Sequence, residues 1–560
     1  MTTVKTADAS PHKAKDWHDI DWRAAQRFVR RLQTRIVKAV KQGKWREVKN
    51  LQRLLRHSFY AKCLAVKRVT ENRGKRTAGV DGETWRTSKQ KWRAIERLGQ
   101  RRYRPKPLKR IYIPKPNGKK RPISIPTMLD RAQQALYLQG LEPVAETRAD
   151  PHSYGFRRKR STADAIAYCY LILGRKYSAQ WVLEGDIKSC FDKISHRWLE
   201  ANIPMDRKML KSWLKCGFVD GKKRFPTEEG TPQGGIASPV LSNMALDGLE
   251  RELKARFPSS RKPDENPQVH FVRYADDFLI TGRSKELLEK EVKPVVEAFL
   301  AERGLTLSAE KTHITHIEAG VDFLGYHMRK IQGRLRIKPS QDRRARFWQD
   351  ITQTIKANIG RRTSGLIKIL NSKLRGWGNY YRIVSSWKTF SKTDNYVFWR
   401  LWRWARQRHP LKNAGWVKRN YFPAMGRRKW QFTAIDERGR RQNLFMMKSL
   451  SYRRHILIKG EANPFDPDWG TYFEQREARK VWTMGAANYV KSLLIRQQGR
   501  CSYCEEPLES EQAWRIHYSQ SAEDGAADKT ERNILLHREC HAQYRRRKPK
   551  FHNRVPQGSL

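Results

Sequence analysis

Between residues 22 and 70 apolar side chains recur at helical spacing: Phe28, Leu32, Ile36 and Val40, then Val48, Leu51, Leu54 and Leu55, on a strongly basic background. That period predicts amphipathic, basic helices. The pattern stops at Thr77-Ala78-Gly79-Val80-Asp81-Gly82, a glycine-punctuated loop. From Arg101 to Arg121 the chain carries ten lysines or arginines and no acid, interrupted by Pro105, Pro107, Pro114 and Pro116. Short strands over 109–113 and 121–125, joined by a turn at Pro116-Asn117-Gly118, make this a basic hairpin, which taken alone reads sooner as a solvated charged ribbon than as a grip on phosphates.

Two later runs combine strand patterning with acids. Trp181-Val182-Leu183-Glu184-Gly185-Asp186 is an apolar strand that ends on a carboxylate, with Phe191 in the turn or helix beyond. Residues 269–280 are two apolar strands around the acidic turn Tyr274-Ala275-Asp276-Asp277. Helical periodicity returns over 341–405 with a dense aromatic and basic mix: Arg375-Gly376-Trp377-Gly378-Asn379-Tyr380-Tyr381, then Trp387, Trp399, Trp402 and Trp404. Most of these tryptophans belong to a core, on helices whose other face suits RNA.

Composition then narrows the partners. The 560 residues suffice for roughly three to four domains, and 38% hydrophobic content supports real cores. Lysine and arginine number 116 against 56 acids, a net charge of +60 that would self-repel without a polyanion, so nucleic acid is the natural partner. Aromatic residues at 11% suit stacking on bases. The first fifteen residues lack the apolar core of a signal peptide, and no uncharged run reaches the eighteen or so residues of a membrane span; a cytoplasmic, reducing setting and no membrane partner are expected. Cys63, Cys169, Cys190 and Cys216 are scattered, whereas Cys501, Cys504 and Cys540 cluster beside histidines, which favours a metal site over disulfides.

Phosphoryl transfer to a 3′-hydroxyl needs two divalent ions, so carboxylates from two strands must converge. Asp186 and Asp276 fit that need. Alone, the Tyr-Ala-Asp-Asp tetrapeptide reads sooner as a polar β-turn than as a catalytic site. The order decides: basic hairpin, Asp186 strand, Gly230-Thr231-Pro232-Gln233-Gly234-Gly235-Ile236-Ala237-Ser238-Pro239, then Tyr274-Ala275-Asp276-Asp277. This resembles the reverse transcriptase family. It resembles more narrowly the proteins encoded by group II introns, because Ala78-Gly79-Val80-Asp81-Gly82, Ile113-Pro114-Lys115-Pro116, His152-Ser153-Tyr154-Gly155-Phe156-Arg157 and Phe323-Leu324-Gly325-Tyr326 also match in order, over nearly the whole chain from about Thr77 onward.

The resemblance implies an α+β right-hand polymerase: fingers and palm with an antiparallel sheet, a helical thumb or X domain, and a small C-terminal module. It implies a basic helical extension over 1–85, fingers and palm over 86–338, thumb and maturase X domain over 339–414, a DNA-binding segment over 415–498 and a zinc domain over 499–560. Asp186, Asp276 and Asp277 become the palm carboxylates that hold two magnesium ions, with the Ile187 backbone beside them. Lys115 and Arg121 would bind the incoming deoxynucleoside triphosphate, Gln233 would line its pocket, and Phe191 would lie under the sugar and exclude a 2′-hydroxyl. The implied activity is RNA-directed DNA polymerisation. It is joined to maturase function, in which the protein binds group II intron RNA, assists its splicing and supports mobility by target-primed reverse transcription at a DNA target. A reverse transcriptase of retron or diversity-generating lineage is the alternative, and the X-like thumb and the tail argue against it.

In the tail, Cys501-Ser502-Tyr503-Cys504 is answered by His537-x-x-Cys540, four ligands suited to one tetrahedral zinc, with His537 the fourth. A domain of about sixty residues needs such a staple. The layout also resembles an HNH nuclease module, which places His517, Asn533 and His541 in the strand-cutting site. Where that family has a second adjacent histidine as general base, this chain has Tyr518, and the glycine-rich turn is altered to Glu523-Asp524-Gly525-Ala526-Ala527-Asp528. A phenol with an ordinary pKa near ~10 is a poor acceptor for a water proton, so impaired DNA cleavage is expected.

Overall fold

A computed structural model describes residues 14–100, 103–114, 118, 120–262, 265–426, 429–483, 488–505, 508, 514–517 and 533–547. Lys115, the Pro116-Asn117 part of the hairpin turn, Tyr518 and residues 523–528 lie outside the described residues.

The basic N-terminal periodicity forms three helices, Trp22–Lys41, Trp45–His57 and Phe59–Glu71. Asp21 caps the first, its carboxylate accepting from the Arg23 and Ala24 amides. Val29, Leu32, Ile36 and Val40 form its buried stripe, while the arginines face outward. The three pack with the long helix Met128–Arg148, which is buried on most of its circumference. The 77–82 loop closes against the start of that helix: Arg131 donates to the Gly74 and Thr77 carbonyls at 3.1 and 2.6 Å. A Cβ at Gly79 would lie 2.7 Å from Thr127 Cα, so this contact needs glycine.

The basic hairpin is present as antiparallel strands Leu108–Pro114 and Lys120–Ile125, with Ile111 opposite Ile123. Short strands Phe218–Asp220 and Lys223–Phe225 extend it to a four-stranded sheet.

The central sheet holds four antiparallel strands in the order Phe271–Tyr274, Asp277–Gly282, Trp181–Asp186, His313–His316. Alternation along these strands feeds two cores. Val182, Val272 and Leu279 join a cluster with Phe347, Leu370 and Leu401 of the following helical region. Leu183, Phe271, Phe278 and Ile280 join a second cluster with Leu241, Val296 and Phe299 on the opposite face. Both faces being covered, the strands read as nearly continuous apolar runs.

After a three-stranded sheet (Val321–Phe323, Tyr326–Ile331, Arg334–Pro339), the helical region comprises Gln341–Lys356, Thr363–Tyr381 and Trp387–Arg408. Trp404 is fully buried, Trp377 stacks on Phe347 with ring centroids 4.8 Å apart, and Trp402 packs half-buried, whereas Trp387 and Trp399 are exposed. The same core runs on through Phe432, Leu444, Met447, Ile458 and Ala462, so packing is continuous across residue 414.

Residues 451–466 then cross back over the sheet domain. The Asp164 carboxylate accepts from His455 Nε2 at 2.8 Å, the Ile458 amide at 3.0 Å and Arg476 Nη2 at 2.6 Å. Arg160 donates to the Gly460 and Ala462 carbonyls. The C-terminal part has strands Trp514–His517 and Ile534–His537 and the helix Arg538–Arg547. Its Leu535, Leu536 and Cys540 share one apolar cluster with Trp17, Ile20 and Trp22 near the other end of the chain. Among the described residues no helix is long and apolar enough to cross a membrane.

Candidate active site and metal centres

Asp186 ends its strand directly opposite Asp277, its register partner. Tyr274 pairs with Asp277, so Ala275 and Asp276 form the turn between the hairpin strands and three acids gather at one edge of the sheet. The turn is supported from beneath. Ala275 has φ 59°, a left-handed conformation unusual for a residue with a side chain. Its carbonyl accepts from buried Arg273, which also contacts Asn243 Oδ1 at 3.1 Å and Asp247 Oδ1 at 2.5 Å. The His152–Arg157 segment supplies a backbone strut: the Arg273 amide donates to the His152 carbonyl at 3.0 Å, and the Tyr154 amide to the Arg273 carbonyl at 2.9 Å. A Cβ at Gly155 would lie 2.4 Å from the Ala275 nitrogen, which explains glycine there.

Crowding shapes the electrostatics. Burial, then repulsion from Asp276 and Asp186, pushes the Asp277 carboxyl up to about 6, with Lys311 opposing. Burial and Asp186 also raise the Asp276 carboxyl, against Arg121 and Lys311. Lys311 Nζ lies 2.7 Å from Asp186 Oδ2. Three acids so placed favour cations between them. The backbone beyond Asp186 is fixed by Ser308, whose amide donates to the Asp186 carbonyl at 2.8 Å, and by a bridge between buried Ile187 and Leu307.

Phe191 lies on the one-turn helix Cys190–Lys193, entered through Ser189 at φ 49°. It is half-buried and meets Phe156 edge-on, with centroids 6.2 Å apart. The Gly230–Ser238 loop joins this turn to the basic hairpin. Its Thr231 amide donates to the Phe191 carbonyl at 2.5 Å, Gln233 Nε2 donates to Asp192 Oδ2 at 3.3 Å, and the Gln233 carbonyl accepts from the Ser124 amide at 2.7 Å. Phe191 and Gln233 are thereby brought together beside the acids. Arg121 is exposed on the Lys120–Ile125 strand and acts electrostatically on Asp276. Lys115 lies outside the described residues.

Sequence reading missed Arg273, Gly155, Gly185 and Lys311. An isolated glycine inside a strand is a signal of close approach, and Gly185 carries it. Lys311, within Ser308-Ala309-Glu310-Lys311, reads as an ordinary surface lysine.

At the far end, Cys501, Cys504 and Cys540 are buried, and their sulfurs with one His537 nitrogen all lie within 4.8 Å of one another. His537 Nδ1 is 3.4 Å from Cys504 Sγ and 3.9 Å from Cys540 Sγ. Three sulfurs and one imidazole nitrogen in so small a volume fit a tetrahedral zinc. Nearby, the His517 and His541 rings lie 5.4 Å apart. The Asn533 side-chain amide donates to the Tyr489 hydroxyl.

A carboxylate trio at the edge of an antiparallel sheet, flanked by a basic hairpin and a helical region, is the arrangement that a palm-class polymerase fold presents. Residues 113–328 match the family described as reverse transcriptase (RNA-dependent DNA polymerase), residues 17–98 its N-terminal domain, and residues 344–422 the group II intron maturase-specific domain. Protein YkfC of Escherichia coli (strain K12) is 34% identical over 320 residues, covering 50% of this chain and 83% of that protein. The group II intron-encoded protein LtrA of Lactococcus lactis subsp. cremoris is 29% identical over 425 residues, 60% of this chain and 70% of that protein. Maturase-like protein 1 of Euglena gracilis is 24% identical over 383 residues, 66% and 76% respectively. The chain belongs to the group II intron-encoded reverse transcriptases and is an RNA-directed DNA polymerase with a maturase domain.

Proposed function

We propose that Asp186, Asp276 and Asp277 hold two magnesium ions, and that the chain uses this site to copy intron RNA into DNA from a primer at a DNA target. The carrying observation is the pairing of Asp186 with Asp277, with Asp276 on the adjoining turn. Bound there, the ions would supply charge neutralisation at the transferring phosphate and a more acidic 3′-hydroxyl. The rest falls to the chain. Arg121 and Lys115 on the basic hairpin bind the triphosphate, the Ile187 backbone and Gln233 wall the nucleotide, and Phe191 with Phe156 behind it leaves no space for a 2′-hydroxyl. The helical region, with its outward-facing Trp387 and Trp399, binds the structured intron RNA and assists its splicing.

The Cys501, Cys504, His537 and Cys540 cluster holds one zinc as a structural staple. The histidines beside it belong to an HNH-derived module that binds target DNA and cuts it poorly.

Primer extension on an RNA template with magnesium tests the central reading. Asp276→Ala is expected to lower the rate by at least ~10³-fold while RNA affinity stays within about twofold, because the acid serves the ions and not the grip on the backbone. Near wild-type extension by this variant would remove the assignment. Splicing assisted by the same variant would separate the maturase role from polymerisation.

A further inference from the structure

The C-terminal module and the N-terminal helices are both basic. Arg27, Arg30 and Arg31 crowd the helix Trp22–Lys41, and Arg538 and Arg545 lie on Arg538–Arg547. Both elements therefore carry a positive net charge, and an apolar seam alone leaves their long-range repulsion in place. The seam itself is real. Leu493, Leu494, Leu508, Leu535 and Leu536 share one buried cluster with Trp17, Ile20 and Trp22.

What lies at the seam is the cysteine knuckle. Arg23 Nη2 donates to the Ser502 carbonyl at 3.2 Å, and Arg23 Nε pairs with Glu505 at 3.0 Å. One face further round, Lys67 of the helix Phe59–Glu71 holds its ammonium over the Trp22 ring, 4.7 Å from the centroid. Lys67 is thus a half-buried cation seated on Trp22, whose apolar cluster also contains Cys501, Cys504 and Cys540.

Three thiolates and a neutral imidazole around a dication leave one net negative charge. With Arg23 already engaged by Glu505, that charge needs another partner, and Lys67 on the neighbouring Trp22 ring is placed to supply it. We propose that the loaded Cys501, Cys504, His537 and Cys540 centre is a clasp that fastens the C-terminal module to the N-terminal helices. Lys67 is its counter-cation, and Arg23 anchors the knuckle backbone. The inference rests on the zinc reading above and goes beyond it, since a self-contained staple would ignore the N-terminal helices. The metal thereby gains a second role, in which it sets whether the faces of Trp22–Lys41 and Phe59–Glu71 that meet the module are covered.

The test uses the full-length protein with cobalt(II) in place of zinc, whose thiolate absorption reports binding under chelator competition. Lys67→Met, which keeps the packing against Trp22 and removes the charge, is expected to weaken cobalt affinity about tenfold, and Lys67→Arg by no more than about threefold. Hydrogen exchange before and after removing the metal supplies the second reading. Stripping is expected to raise exchange at least ~10-fold at amides of Trp22–Lys41 and Phe59–Glu71, with the palm strands unchanged. Unaltered cobalt affinity in Lys67→Met, or unaltered exchange in both helices after stripping a protein that had bound metal, overturns the clasp and leaves the zinc site standing. A wild-type chain that binds neither cobalt nor zinc overturns both.

Discussion

Gly185 faces Phe278 across the palm sheet, and a Cβ added at residue 185 would lie 2.2 Å from the phenyl ring. The ring is buried among Leu183, Phe271 and Ile280 and has little room to retreat, so it occupies the space that a side chain would claim. Since residue 185 immediately precedes Asp186, any shift there moves a carboxylate of the proposed metal site. Gly185→Ala is expected to cost about 1–3 kcal/mol of stability by overpacking. Its polymerisation rate should fall at least ~10-fold at a temperature where the variant is fully folded. Urea unfolding and primer extension measure the two separately; full activity in a folded variant would show that the sheet absorbs the methyl elsewhere.

A second relationship fixes the segment after the thumb. Asp164 is buried, and His455 and Arg476 reach it from residues on either side of the 456–475 stretch. Burial opposes its charge, but the His455 hydrogen bond and the His455 and Arg476 charges hold it at about 2, below the ordinary 3.8. A depressed folded pKa gives stability that is present above the unfolded value and lost as pH falls through the folded one. The contribution, about 2 kcal/mol, should therefore be intact at pH 5 and fade between about pH 4 and 2. Asp164→Asn leaves Arg476 buried without its carboxylate and is expected to cost about 3 kcal/mol at pH 7. The gap to wild type should narrow along the acid limb of a denaturation series. A constant gap down to pH 2 would assign the loss to packing.

Much of this architecture was legible in the chain because period and punctuation are local. The basic helices, the hairpin at 108–125 and the acid-tipped strands each announce themselves within about ten residues, and the order of motifs carried the rest. What stayed hidden depends on partners far away in sequence. Arg273 reads as one more basic residue, yet it is buried under the acidic turn against Asp247 and Asn243. Asp164 sits in a helix start, and nothing near it indicates His455 or Arg476. The C-terminal cysteines announced a metal, but no local pattern could say that Arg23 and Trp22 would pack beside them.

Phe191 offers a test of substrate choice. Its turn is held by the Thr231 amide on its carbonyl, and its half-buried ring meets Phe156 edge-on beside the acids. Phe191→Ala should raise the use of ribonucleotides relative to deoxynucleotides about 10- to 100-fold, with magnesium dependence unchanged. Competition between the two nucleotide types in single-nucleotide incorporation reads the ratio directly. Unchanged discrimination would reduce Phe191 to a packing residue of the Cys190–Lys193 turn.

The C-terminal module is expected to bind its zinc and yet cut DNA poorly. His517 and His541 lie close enough to share a metal, with ring centroids 5.4 Å apart, so a binding site for a strand-cutting ion is within reach of the fold. Two features oppose cleavage. Asn533, the middle residue of the HNH pattern, donates its side-chain amide to the Tyr489 hydroxyl and accepts from Arg496 at its backbone carbonyl, which ties it to the helix Asn488–Arg496. Position 518, where the pattern requires a proton acceptor, is tyrosine, whose ordinary pKa near ~10 leaves it protonated at neutral pH. Water attack on a phosphodiester then lacks a base, whatever ion is held. The measurement incubates ribonucleoprotein with its target duplex and scores each strand separately. Bottom-strand cleavage should be at least ~100-fold slower than reverse splicing into the top strand, and Tyr518→His should restore it in part, since a neutral imidazole returns the missing acceptor. Efficient bottom-strand cleavage that disappears in His541→Ala would refute the impaired reading.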